Sequence, residues 1–397
     1  MIINISPAYL NSELKKVGIH PASNKIFGRK AEIIPLKAFD VPAPGANILK
    51  QEMLSLGGDA VVHKNVINCN VEVSDVILLG TRKHYNILLD KLKLMPYFGL
   101  GRVRSALKSY FETPKPNSIT SPWGRKLTFD RPRLMGIINI SPDSFYAGSR
   151  KQNMAEILET AAKMVQDGVD VLDLGAMSTR PGSDPVDEAT EYAKIIPAVA
   201  AIRKNHSETL ISVDTYRARI AQAALDAGAD IINDISGFGF DEKLIEVVVK
   251  SKAPYILMHI KGTPKDMQTN PTYADLIKEI MQYFANKIAR ARDLGVPEHN
   301  IIIDPGLGFG KTYEDNMEIM DRMSELKSFR RPLLIGASRK SFVGTALALE
   351  SPADRLEGTL AITALCAYHD VDLIRVHDVR ENARVIKMVE AIKCRRR

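Results

Sequence analysis

Cysteine is scarce in this chain. Cys69, Cys366 and Cys394 are the only three in 397 residues, far apart and without a CxxC spacing. They offer neither a disulfide framework nor a cysteine-rich zinc site, and a reducing compartment suits them. No apolar run approaches the roughly 20 residues that a membrane-spanning helix needs, and Met1 to Lys16 lacks the basic-then-apolar layout of a secretory leader. A cytoplasmic protein with no membrane partner is expected. HExxH, GxSxG and carboxylates at metal-ligand spacing are all missing, which argues against a resident zinc centre and against serine-triad chemistry. Dense basic blocks interleaved with aromatics are missing too, so nucleic acid is not an expected partner despite a net charge of +7. The excess is confined to residues 1–120, with 16 Lys and Arg against 9 Asp and Glu, whereas residues 121–397 carry 38 of each. A solvated basic surface accounts for it.

What is present is ordinary globular composition, 45% hydrophobic and 25% charged, over a length too great for one typical domain. The stretch FETPKPNSITSPWGRKLTFDRP, Phe111 to Pro132, is rich in Pro, Ser and Thr and has no apolar periodicity, which places a boundary near residue 125. Residues 1–125 then form an accessory α/β or α+β domain plus linker. Its apolar runs Glu32 to Leu36 and Asp75 to Leu79 alternate with amphipathic stretches Ala46 to Leu56 and Tyr85 to Leu94.

Residues 126–397 read differently. Eight short, β-branched runs begin at Leu134, Asp170, Leu210, Asp230, Pro254, Asn300, Pro332 and Asp372 and alternate with helical patterns such as Ala155 to Val165, Leu276 to Ala291 and Arg380 to Ile392. Eight βα units in a segment of this length predict a (β/α)8 TIM barrel rather than an open doubly wound sheet.

In such a barrel the loops after the strands build the active site. Polar residues stand at nearly every strand end: Asn139; Ser178, Thr179 and Arg180; Asp214; Asn233; His259; Asp304; Ser338, Arg339 and Lys340; Arg375 and His377. One aspartate there is as often a helix cap as a catalyst, but eight sets converging on one rim are hard to assign to capping. Arg180, Arg375 and His377 with Asn139 can supply donors to an anion such as diphosphate. Asp214, Asn233, Asp304 and Lys340 make a mixed donor and acceptor set suited to the edge of a nitrogen heterocycle. The segment DPGLGFGK, Asp304 to Lys311, is neither a P-loop nor a dinucleotide fingerprint. Its glycines suit a loop passing close to a flat ligand, with Phe309 as a stacking face, or an ordinary tight turn. Met258 and His259 fit core filling as well as a site.

Taken in order, these motifs resemble those of dihydropteroate synthases: MGIINISPDSF from Met135, DLGAMSTRPGS from Asp173, ISVDTYR from Ile211, ADIINDISG from Ala229, LMHIKGTPKDMQ from Leu257, DPGLGFGK, GASRKSFVG from Gly336, RLEGTLA from Arg355 and IRVHDV from Ile374. The resemblance covers residues 130–394. It implies condensation of 6-hydroxymethyl-7,8-dihydropterin diphosphate with p-aminobenzoate, releasing diphosphate, by a homodimer that uses Mg²⁺. Carried over to matching positions, it implies that Asp214, Asn233, Asp304 and Lys340 bind the pterin with Phe309 and Met258 lining the pocket. Asn139, Arg375 and His377 would hold diphosphate, Asn139 also facing Mg²⁺, and Thr179, Arg180 and Pro181 with Ser338 would close over p-aminobenzoate and diphosphate. The chain departs from the pattern at Met177, where the family usually has Glu, at Ser141 for Thr, and at Ala147 and Gly148 for an Asp-Gly pair. Met177 either alters loop closure or packs under the loop. Two rival readings are a corrinoid methyltransferase-like domain, which has no need of STRPG and SRKS around a diphosphate, and a pterin-binding protein without catalysis.

Overall fold

The computed structural model describes residues 2–3, 5, 7–20, 27, 32–140, 150–176 and 186–394. It divides into two compact units, Met1–Pro114 with the last three residues and Lys115–Cys394. The first holds an antiparallel sheet of β1 (Ile34–Pro42), β2 (Asp59–Val61) and β3 (Val73–Gly80) in the order β1-β3-β2, with helices Ala43–Ser55, Arg82–Leu92 and Leu100–Glu112. Its own core gathers Val41, Leu49, Met53, Val76, Leu78 and Leu88. Tyr85 pins the sheet to a helix: its hydroxyl shares one proton between Ile34 O at 2.6 Å and Leu78 O at 2.9 Å.

The boundary expected near residue 125 falls instead after Pro114. The Pro- and Ser-rich stretch is not a bare linker, because it contains the hairpin β4 (Ser118–Thr120) and β5 (Lys126–Thr128). Three-residue strands are too short to show a period of two, so the hairpin leaves no pattern in the sequence.

Eight parallel strands follow: β6 (Arg133–Asn139), β7 (Val171–Gly175), β8 (Leu210–Asp214), β9 (Ile231–Asp234), β10 (Tyr255–Met258), β11 (Ile301–Asp304), β12 (Leu334–Ile335) and β13 (Leu373–Val376). Their order is β11-β10-β9-β8-β7-β6-β13-β12, and a parallel bridge between Ile303 and Leu333 joins the two ends. This is the expected (β/α)8 barrel, and its strands coincide with the eight sequence runs. The helices between them are capped where the sequence supplies a short polar residue: Asp187 accepts from Thr190 N and Asp275 from Lys278 N. Among the described residues, no helix is long and apolar enough to cross a membrane.

Alternation along the strands separates floor from site. Met135, Val171, Leu210, Ile231, Ile256, Ile302, Leu334 and Leu373, one from each strand, form a single apolar cluster with Ile119 and Leu127 of the hairpin, which closes the barrel floor. Their immediate neighbours, among them Leu172, Ile211, Ile232, Leu257 and Ile374, belong to the larger core that includes helix residues such as Ile195, Ala221 and Phe284. Two residues on from the floor the same inward parity gives Asp173, Ser212, Asn233, Met258, Asp304 and Arg375. The barrel interior is therefore dry at one end and polar at the other.

Candidate active site

The polar layer is organised around one guanidinium. Arg375 donates through Nε to Asp173 Oδ2 at 2.7 Å and through Nη2 to Asp214 Oδ2 at 3.1 Å. Asn233 donates to Asp173 Oδ2 at 3.2 Å. Burial opposes the charge of Arg375, but the two aspartates outweigh it and hold its pKa above the ordinary value. Burial pushes the Asp214 carboxyl up to about 7, against the pull of Arg375 and with the nearby Asp173 charge adding to the rise. The register sets Asn139, Gly175, Asp214 and Asn233 side by side across β6 to β9.

On the opposite wall, Asp304 ends β11 and its Oδ1 accepts from Gly306 N at 2.8 Å. Burial raises the pKa of Asp304, whereas it lowers that of Lys340 to about 8, each opposed by the other's charge. Lys340 Nζ lies 4.7 Å from the centroid of the Phe309 ring and donates to Leu307 O. The loop between them carries positive φ at Gly306, Gly308 and Gly310. A Cβ at Gly306 would stand 2.0 Å from His259 O, and one at Gly310 2.2 Å from Lys261 O. Glycine is required there both by conformation and by close approach of backbone.

Ser338 and His377 meet across the seventh and eighth strand-end loops, Ser338 Oγ lying 3.0 Å from His377 Nδ1 and accepting from His377 N at 3.2 Å. Burial, followed by the charges of Arg375 and Arg339, depresses His377 to about 4, so near pH 7 its ring is neutral and still carries one N–H to donate. Arg339, between Ser338 and Lys340, adopts φ 57°, a costly conformation for a residue with a Cβ. Its guanidinium forks onto Asp378 at 2.9 and 2.6 Å, and Arg355 holds its carbonyl at 3.0 Å. Those contacts fix the turn that carries Ser338 and Lys340.

The structure thus brings together Asp214, Asn233 and Arg375, pairs Lys340 with Phe309 and Ser338 with His377, and buries Met258 two residues above the floor. Arg375, expected on the diphosphate side, spends two nitrogens on the aspartates of the heterocycle side. Asn139 is exposed at the end of β6. Thr179, Arg180 and Pro181, with Met177, Ser141, Ala147 and Gly148, lie outside the described residues. Asp173 is the residue that sequence reasoning missed as a site member. Flanked by leucines in VLDLG, it reads as strand interior, yet its parity with Val171 aims it inward. His259 resolves as a buried structural group, its Nδ1 2.9 Å from Lys311 Nζ.

The barrel with its buried, charged interior falls in the class of pterin-binding enzymes: the family described as pterin binding enzyme matches residues 135–377. The dihydropteroate synthase of Synechocystis is 41% identical over 287 residues, 72% of this chain and 97% of that one. The bifunctional dihydropteroate synthase/dihydropteroate reductase of Helicobacter pylori is 32% identical over 395 residues, 99% of either chain. A solved dihydropteroate synthase of Xanthomonas albilineans, with 4-aminobenzoic acid, has a TM-score of 0.64 at 33% identity and covers 69% of this chain and 99% of its own. The chain belongs to the dihydropteroate synthases.

Proposed function

We propose that the barrel condenses 6-hydroxymethyl-7,8-dihydropterin diphosphate with p-aminobenzoate to give 7,8-dihydropteroate and diphosphate. The observation that carries this reading is the Asp173–Arg375–Asp214 bridge with Asn233, set in the polar layer directly above the apolar floor. Asp214, Asn233, Asp304 and Lys340 bind the heterocycle edge, and Phe309 offers its face. Departure of diphosphate from a methylene on an electron-rich ring runs ahead of amine attack and leaves a cation spread into the pterin. The carboxylate of Asp214 stabilises that cation, and His377, Ser338 and Arg375 donate to the leaving group, preorganised assistance aimed where charge develops.

Among the described residues, no group of three or more His, Cys, Asp or Glu is placed to hold a metal. The donor set that fits is the amide oxygen of Asn139, an exposed residue, with oxygens of the substrate, as suits Mg²⁺, which keeps waters and uses few protein ligands. When bound there, Mg²⁺ supplies charge neutralisation at the leaving diphosphate. The test of the whole reading is diphosphate release by the purified protein with Mg²⁺ and the pterin diphosphate, with and without p-aminobenzoate. Amine-dependent release with dihydropteroate in the mass spectrum is expected; release without joined product would overturn it.

The functional unit we propose is a cytoplasmic homodimer. Three free cysteines, Cys69 and Cys394 of them exposed, suit a reducing compartment. Helix Leu356–Tyr368 is apolar on its outward face as well as its inward one: Leu365 and Tyr368 are exposed, as are Met388 and Ile392 on the following helix, Val379–Lys393. Such a face is what a second copy covers, and a monomer in sedimentation equilibrium at micromolar concentration would sink the assignment.

A second activity is favoured by the Helicobacter pylori relative, whose likeness extends over the unit preceding the barrel. In this reading the chain also reduces dihydropteroate, hydride passing from a reduced nicotinamide or flavin to C6 of the pterin and a proton to N5. Because each unit has its own core, a chain starting at Lys115 is expected to fold and to keep the condensation. It is expected to lose the reduction, followed as tetrahydropteroate by mass. Reduction undiminished by the truncation would remove any part of the first unit in it.

A further inference from the structure

The glycine loop of residues 306–310 ought to be soft, since alternate glycines carry the largest conformational freedom of any residue. Instead each of its last four carbonyls is taken by a side chain from a different place. Leu307 O accepts from Lys340 Nζ, Gly308 O from Gln268 Nε2 at 2.7 Å, Phe309 O from Lys311 Nζ at 3.0 Å and Gly310 O from the Tyr273 hydroxyl at 2.7 Å. Lys340 belongs to the site itself; the other three do not. Gln268 and Tyr273 come from the long excursion after β10. Lys311 is almost wholly buried, and its ammonium also reaches Nδ1 of His259 at 2.9 Å and His259 O at 3.4 Å.

The chemistry of these partners is consistent. Burial and the neighbouring lysines hold His259 well below its ordinary pKa, so its ring is neutral and one nitrogen is an acceptor for Lys311. Burial lowers the Lys311 pKa to about 7, and its three donors meet three acceptors, one of them the loop carbonyl of Phe309, which ties the loop to the buried His259. What they secure is Phe309, whose ring is half-buried and faces Lys340.

We propose that Lys311 and Gln268 are positioning residues for the heterocycle: they hold the glycine loop so that Phe309 presents its ring face before the pterin arrives, and they act on binding of that substrate rather than on the bond-breaking step. This rests on the pterin reading of the same site. Preorganisation of this kind lowers the ordering cost at binding, and one lost hydrogen bond is worth about a fivefold change in affinity.

The test compares wild type, Gln268→Ala, Lys311→Met, Lys311→Arg and Phe309→Ala. The measurements are calorimetric binding of 6-hydroxymethylpterin and steady-state kinetics with each substrate. Gln268→Ala, at an exposed side chain, is expected to raise KM for the pterin diphosphate about fivefold and Lys311→Met about tenfold or more. In both, kcat and the KM for p-aminobenzoate stay within about twofold. Lys311→Arg recovers part of the loss. Combining Gln268→Ala with Phe309→Ala adds little to Phe309→Ala alone, because the loop no longer has a ring to present. A fall in kcat at unchanged KM, or full additivity with Phe309→Ala, would overturn the proposal, and Gln268→Ala decides it if Lys311→Met does not fold. Failure of the wild type to bind the pterin would overturn the functional reading instead.

Discussion

Asp214→Asn is expected to cut kcat about 10³-fold, the scale on which a preorganised group aimed at developing charge matters, while leaving the protein at least as stable at pH 8. The two halves of that result have one cause. Burial raises the Asp214 carboxyl from 3.8 to about 7, so the folded state holds a proton that the unfolded chain has released. Stability contributed at this position is greatest below pH 4, falls as pH rises from 4 to about 7, and is level above. Ionised Asp214 is therefore a liability to the fold that catalysis makes use of, and the amide removes the liability together with the charge. In the wild type, kcat/KM should climb about tenfold per pH unit below 7, as Asp214 ionises, and fall again above about 8, where Lys340 loses its proton. Asp214→Asn should abolish the acid limb. A variant that turns over at the wild-type rate, or that melts well below it at pH 8, would show Asp214 to be structural.

The barrel was legible because each of its eight strands carries enough Val, Ile and Leu in a run to stand out between amphipathic helices, and the rim was legible because polar residues close those runs. The middle of the barrel was harder to read. Asp173 lies inside a run that looks like core, and only counting parity from Val171, which needs the floor to be known, turns it towards Arg375. For Arg375, sequence shows a cation at a strand end but not the two aspartates, 202 and 161 residues away, that engage two of its nitrogens. The bracing of the glycine loop was invisible for the same reason: Gln268, Tyr273 and Lys311 converge only through the fold. The hairpin of residues 118–128 was hidden by its shortness, although it supplies both the floor plug and, through Arg125, part of the barrel's stability.

That stability is the subject of the opposite prediction at the opposite end of the barrel. Asp230 precedes β9 on the N-terminal rim and is fully buried. Its Oδ1 accepts from Arg125 Nε at 2.8 Å, and its Oδ2 accepts from Arg203 Nη2 and from the backbone N–H of Ile211 at 2.8 Å. Asp170 and Asp372 repeat the device, accepting from Leu134 N and Leu333 N while pairing with Arg131, Arg133 and Lys115. Each clasps two neighbouring strands where the barrel begins. Asp230→Asn keeps the size but takes away the charge, leaving two largely buried guanidinia that repel one another, with only the weaker pull of Glu208 on Arg203 to offset them. Breaking a buried ion pair from one side costs about 3 to 5 kcal/mol, which for a domain of this size lowers the melting temperature by roughly 10 °C. Because the change lies at the face remote from the loops that build the site, kcat and KM measured at 20 °C on the folded fraction should match wild type within about twofold. Calorimetry and kinetics on the same preparation check both halves, and an Asp230→Asn protein that melts normally, or folds normally but loses turnover, would show that the two rims of this barrel do not divide stability from catalysis as the ion pairs imply.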